Sequence, residues 1–227
     1  MSQKKKGGAF AAAQRLGRSL MLPIATLPAA SLLLRFGQAD MLGADGVAKR
    51  LSWMQPVADV LAQAGDAVFS HLPLIFAVGV AVGFAKKSDG STGVAGLFGY
   101  LVLEGVLQAL APYLGAGGDG DPAKSTINYG VLGGIIIGIT AALLWQRFYR
   151  IKLPDWLAFF GGRRFVPIIT SLAALAIGVV LALIYPAFNW LINEQLGGWL
   201  MEAGTKGGAA AVIASFVFGT INRLLIP

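Results

Sequence analysis

The chain contains no cysteine and only one histidine, His71, among its 227 residues. The first absence excludes disulfides, thiolate metal sites, iron–sulfur clusters, cysteine nucleophiles and phosphocysteine chemistry. The second excludes two-histidine zinc and iron centres, so neither metal nor cofactor is expected. A catalytic constellation is missing too, since no G-x-S-x-G elbow or second histidine supports a serine nucleophile. Charge is scarce: Asp, Glu, Lys and Arg make up 13% of the chain, against about 25% in soluble globular proteins. With 56% of residues hydrophobic, too little polar surface remains to cover a water-facing shell. Lipid must be part of the solvent. Acidic residues are the scarcer sign, and the net charge is +7. In a membrane protein such an excess marks cytoplasmic loops and implies no nucleic-acid partner.

Long uncharged runs are abundant instead. A helix crossing about 30 Å of hydrocarbon needs roughly 20 residues. The runs predict an all-α polytopic protein with spans near 19–36, 67–85, 93–114, 127–147 and 165–192, and a sixth at 207–227. If the basic tail 1–18 is cytoplasmic, inner segments hold 13 Lys and Arg and outer segments 5. That split is the positive-inside pattern, and it places both termini in the cytoplasm. Three lysines before an apolar run could pass for a secretory leader, but Arg15 and Arg18 abut the run and no cleavage is expected. All five tryptophans fall near span ends, where an amphipathic ring suits the headgroup layer.

Two connections carry amphipathic patterns. Over 46–66, Val47, Leu51, Met54, Ala58, Leu61 and Gly65 share one helical face opposite Ser52, Gln55, Asp59, Gln63 and Asp66. This predicts a helix on the outer surface with a kink at Pro56. Over 153–160, Pro154 and Asp155 suit a helix start, and Trp156, Phe159 and Phe160 are expected to face lipid on the inner side.

Glycine, at 31 residues, is roughly twice the ~7% usual share. Gly130, Gly134 and Gly138 recur every four residues, as do Gly79 and Gly83, which predicts faces where helices approach closely. The fingerprint Gly115-x-Gly117-x-x-Gly120 follows an apolar run and meets Asp121-Pro122, so it reads as an external loop rather than a dinucleotide site. Glu104 is the one acid deep in a span, where ionisable groups are costly and usually functional; a structural hydrogen bond is the competing reading. His71 is either a hydrogen-bonded helix-start residue or part of a polar path. Arg223 either snorkels to fix topology or presents a donor fork to sugar hydroxyls or a carboxylate.

Several blocks carry a resemblance. Met21-Leu22-Pro23-Ile24-Ala25, His71-Leu72-Pro73-Leu74-Ile75-Phe76-Ala77-Val78-Gly79-Val80-Ala81, Gly130-Val131-Leu132-Gly133-Gly134-Ile135 and Arg147 to Ile168 resemble the membrane IIC component of the bacterial sugar phosphotransferase system, glucose and N-acetylglucosamine branch. The likeness runs from Leu20 to Pro227. It implies a homodimeric importer in the bacterial plasma membrane that moves glucose or N-acetylglucosamine inward while a IIB partner phosphorylates it. It also implies that 19–206 forms scaffold and dimer interface, that 207–227 opens the sugar-binding part, and that Arg223 is a sugar contact. The family's G-L-H-H and G-I-T-E blocks are not in this sequence. The expectation is therefore an incomplete scaffold half that neither binds sugar nor phosphorylates alone. A self-contained six-span binding subunit of another importer is the alternative.

Overall fold

The computed structural model describes residues 3–86, 89–114 and 126–189, and every regular element among them is helical. Trp190, Trp199, Arg223, the expected sixth span and the 115–120 glycine loop lie outside the described residues. Six α-helices lie among the described residues: α1 Gln3–Gly37, α2 Gln55–Ser70, α3 Leu72–Phe84, α4 Gly90–Leu114, α5 Gly130–Phe148 and α6 Phe165–Asn189. Four are long and apolar enough to cross a membrane, within Ala13–Gly37, Gly90–Leu114, Gly130–Phe148 and Gly162–Ala187; the bent pair α2–α3 makes a fifth if taken as one span.

α1 starts well before the apolar window: no proline lies between Gln3 and Arg18, and the alanines and basic residues there favour a helix despite Gly7, Gly8 and Gly17. Pro23 and Pro28 lie inside it. Such prolines are tolerated in membrane helices; the carbonyls that lose their N–H partners to them are those of Ser19 and Ile24. Ser19, Thr26 and Ser31 donate to other carbonyls, those of Leu16, Pro23 and Leu27, at 2.7, 2.7 and 2.8 Å.

The segment 46–66 differs from its sequence reading. Val47–Lys49 and Ser52–Met54 are short 3₁₀ turns, and the helix begins at Gln55 with Pro56 in its first turn, where a proline starts a helix without kinking it. α2 then runs on to Ser70 and packs along α1: Gly37 lies against Ala62, and Gly65 against Leu34. The real break falls at His71. Pro73 has no N–H to give and its ring would meet the carbonyl of Phe69, which favours a break here over a continuous helix. The axis turns by 55° between α2 and α3. Beyond the bend, Gly79 faces Pro23 and Gly83 faces Ser19. The two-part segment is thus antiparallel to α1 from Gly37 back to Ser19, about 27 Å at 1.5 Å per residue.

α3 is the hub. Pro73, Phe76, Ala77, Gly79, Val80, Ala81 and Phe84 are all buried, so it is enclosed on several sides. α5 meets it through Gly134, which abuts the Pro73 carbonyl, and through Gly138, where an added Cβ would stand 2.7 Å from Val80 Cβ and 2.8 Å from the Ala77 carbonyl. α4 reaches the same Ala77 carbonyl through Gly96. Gly130 has another role: its φ of 48° is a left-handed conformation that glycine adopts without strain at the start of α5. α4, α5 and α6 form the second packed region around Leu103, Leu107, Ile137, Ala174 and Ala182. The 153–160 segment contains a 3₁₀ helix at Asp155–Phe160, with no α-helix.

Candidate functional site

Where α2, α4 and the chain entering α5 diverge, they leave an open cleft of about 500 Å³. α2 contributes Asp66, Phe69 and Ser70, α4 contributes Tyr100, Glu104 and Gln108, and residues 126–130 contribute Thr126, Asn128 and Tyr129. The spacing within each helix explains the convergence: Asp66 and Ser70, like Tyr100, Glu104 and Gln108, recur every four residues and so share one helical face. The 55° bend turns α2 away from the hub and widens the space below it.

Most of the polar groups are held by local bonds. The Ser70 hydroxyl donates to the Asp66 carbonyl at 2.9 Å. Asn128 Oδ1 accepts from the Gly130 N–H at 2.7 Å, fixing the turn into α5. The Tyr129 hydroxyl donates to the Leu181 carbonyl at 2.9 Å, and its ring meets Tyr185 edge-on at 5.5 Å, tying the cleft wall to α6. Glu104 is exposed to the cleft and accepts a long hydrogen bond from Gln108 Nε2 at 3.4 Å. Two carboxylates, two amides and four hydroxyl side chains, two of them on tyrosines, can exchange hydrogen bonds with a ligand rich in hydroxyls. Among the described residues, no lysine or arginine lines the space. No group of three or more potential metal ligands occurs among the described residues.

His71 stands beside the cleft without lining it. Its exposed ring sits at the bend, where Nδ1–H donates to the Ala67 carbonyl at 2.8 Å and stabilises the end of α2. Gly79, Gly83, Gly134 and Gly138 lie in helix contacts away from the cleft, whereas Gly130 lines it at the start of α5. Of the candidate residues expected from sequence, Glu104 and Gly130 are thus the ones the cleft brings together. Asp66 reads from sequence only as part of a polar face, and Ser70 and Asn128 carry no signal there, because the cleft they line is assembled from segments remote in sequence.

A second polar cluster lies at the other end of the bundle. Asp89 precedes α4, and its Oδ1 accepts the Ser91 N–H at 3.0 Å and the Ser91 hydroxyl as well. This is helix capping. Trp145 Nε1–H donates to Ser91 Oγ at 3.2 Å, and Arg163 Nη1 lies 2.8 Å from Asp89 Oδ2. The Ser91 hydrogen bonds, aided by the Arg163 charge, hold the Asp89 carboxyl below the usual carboxylate range despite some opposing desolvation. The cluster joins the α3–α4 turn, the end of α5 and the start of α6. Asp89-x-Ser91 was its only sequence signal.

Comparison with known proteins places these features. The family model described as Phosphotransferase system, EIIC matches residues 17–227. The N-acetylglucosamine-specific EIIC component of Streptomyces coelicolor is 46% identical over 227 residues, covering all of this chain and 51% of that protein. The glucosamine-specific EIICBA component of Bacillus subtilis is 43% identical across 96% of this chain and 31% of the relative. The N-acetylglucosamine-specific EIICBA component of Escherichia coli K12 is 42% identical across 94% of this chain and 28% of the relative. The chain therefore spans about half or less of the length of the curated relatives it matches.

Proposed function

The chain belongs to the EIIC family of the phosphotransferase system, and from that membership we propose that it is the scaffold part of a permease importing N-acetylglucosamine or glucose, phosphorylated on arrival by a IIB partner. The observation that carries the reading is the 46% identity, along the whole chain, to an N-acetylglucosamine-specific EIIC component. The EIICBA names of other relatives support a IIB partner. The cleft supports a role beside the sugar path, with Glu104 and Asp66 accepting hydrogen bonds from hydroxyls. In this reading residues 19–206 form scaffold and homodimer interface, and 207–227 begin the sugar-binding part with Arg223 as a contact. The protein crosses the plasma membrane six times, with both termini and the Arg147–Arg164 loop in the cytoplasm. Its own residues translocate sugar and supply no phospho-acceptor.

The test joins this chain to the C-terminal half of the Streptomyces coelicolor relative, in cells lacking their own glucose and N-acetylglucosamine permeases but supplied with IIB. Phosphoenolpyruvate-dependent uptake of labelled N-acetylglucosamine or glucose is expected; a correctly inserted chimera that takes up neither would overturn the reading. The purified chain alone is expected to show no sugar binding by calorimetry, whereas saturable binding would favour a self-contained binding subunit.

A further inference from the structure

The segment between α5 and α6 combines two properties. Trp156 is 81% exposed and Phe159 70%, with Phe160 also open, although no membrane helix is formed there. Around them, residues 147–164 carry five basic side chains, Arg147, Arg150, Lys152, Arg163 and Arg164, against one acid, Asp155. The structure puts charge and rings on one surface: the Arg164 guanidinium stands 4.7 Å from the Phe159 ring centre and donates to the Phe159 carbonyl at 3.3 Å, and Arg150 stands 4.9 Å from the Tyr149 ring.

The position of the segment is fixed at both ends by helices long and apolar enough to cross a membrane, α5 ending at Phe148 and α6 starting at Phe165. It cannot travel far from the plane where those helices leave the hydrocarbon. Gly162, with φ of 65°, returns the chain toward α6, and its N–H donates to the Ile151 carbonyl at 3.0 Å, closing the segment into a compact loop. Exposed tryptophan and phenylalanine at that depth gain by entering the boundary between headgroups and acyl chains. The adjoining cations gain from anionic headgroups, and a tryptophan-rich interface flanked by basic residues is favoured on electrostatic grounds.

We propose that residues 147–164 form an interfacial anchor selective for anionic phospholipid, with Trp156, Phe159 and Phe160 inserted and Arg147, Arg150, Lys152 and Arg164 on the headgroups. Arg163 has a separate task in its pair with Asp89. Lipid is favoured over a protein partner because the exposed rings sit on the short connection between two helices long and apolar enough to cross a membrane, at the level where those helices leave the hydrocarbon. The assignment does not depend on the transport reading, and its test measures no transport.

The cysteine-free chain allows a single label. Trp156→Cys carries a fluorescent probe in the full chain, reconstituted in vesicles with equal fractions of brominated phosphatidylglycerol or brominated phosphatidylcholine; Phe159→Cys repeats the measurement in case one substitution perturbs the loop. Stronger quenching by the anionic lipid is expected at both positions. Arg147→Gln, Arg150→Gln and Lys152→Gln together should remove that preference, by about fivefold for each cation lost. Equal quenching by the two lipids in the unaltered loop would overturn the selectivity. No quenching by either, or protection of the probe only on adding a IIB protein, would overturn the anchor and assign the surface to water or to that partner.

Discussion

The hub around α3 and the cleft beside it are built from adjoining segments, yet they solve opposite problems. At the hub, Gly134 and Gly138 bring α5 onto the Pro73 and Ala77 carbonyls, and helices touch backbone to backbone. In lipid, where apolar side chains gain little from meeting one another, that close approach is a main source of helix association. At the cleft the same α5, a turn earlier, stands off from α2 and α4 and leaves polar groups facing about 500 Å³ of open space. Substitution should therefore be felt as lost folding at the hub and as altered binding or transport at the cleft.

The largest effect should come from Gly134→Leu. An added side chain would collide with the Pro73 carbonyl, which is backbone and cannot swing aside. A loss of roughly 3 kcal/mol or more is expected from such overpacking, read as failure to recover folded protein in detergent. Full recovery would show the hub to be more yielding than its geometry. Leu103→Ala comes next. Leu103 is almost fully buried at the seam of α4, α5 and α6, so truncation should cost about 2–5 kcal/mol, seen as a lowered thermal midpoint.

Asp89→Ala loses the cap of α4 and should cost about 1 kcal/mol. Because folding lowers this carboxyl's pKa, its contribution is present above the unfolded value of about 3.9. It fades as pH falls through the folded value. The variant's deficit should thus shrink in acid below about pH 4; a deficit constant with pH would show that the capping charge is irrelevant. The smallest stability change is expected at Glu104→Gln, since Glu104 is exposed and its bond from Gln108 is long, at 3.4 Å. In the uptake chimera the same variant should change the KM for sugar. A large loss of stability without that change would move Glu104 from the cleft's function to its scaffold.

Helical segments were legible in the sequence because uncharged runs of twenty residues have few alternatives in lipid. Their limits were not. The His71-Leu72-Pro73 step was read as the beginning of a span, since proline near a helix start and proline at a bend leave the same local signature; only the packing of α2 along α1 distinguishes them. The glycine periodicity showed which residues are small but not what they touch, because Gly79 meets α1 while Gly134 and Gly138 meet α3. Within the cleft, Glu104 drew attention as an acid in an apolar run. Asp66 and Asn128 are ordinary polar residues in sequence and gain meaning only when the bundle brings them together.

The bend at His71 has a mechanical meaning. A continuous helix behaves as a stiff rod, since each turn is tied to the next by its ladder of hydrogen bonds. At Pro73 a rung is missing, so displacement of the rod's outer part is not handed on to the inner part. α2 and α3 are therefore two separately mounted pieces, α2 fastened to α1 at Gly37 and Gly65 and α3 to α5 at Gly134 and Gly138, with the joint between them at the cleft.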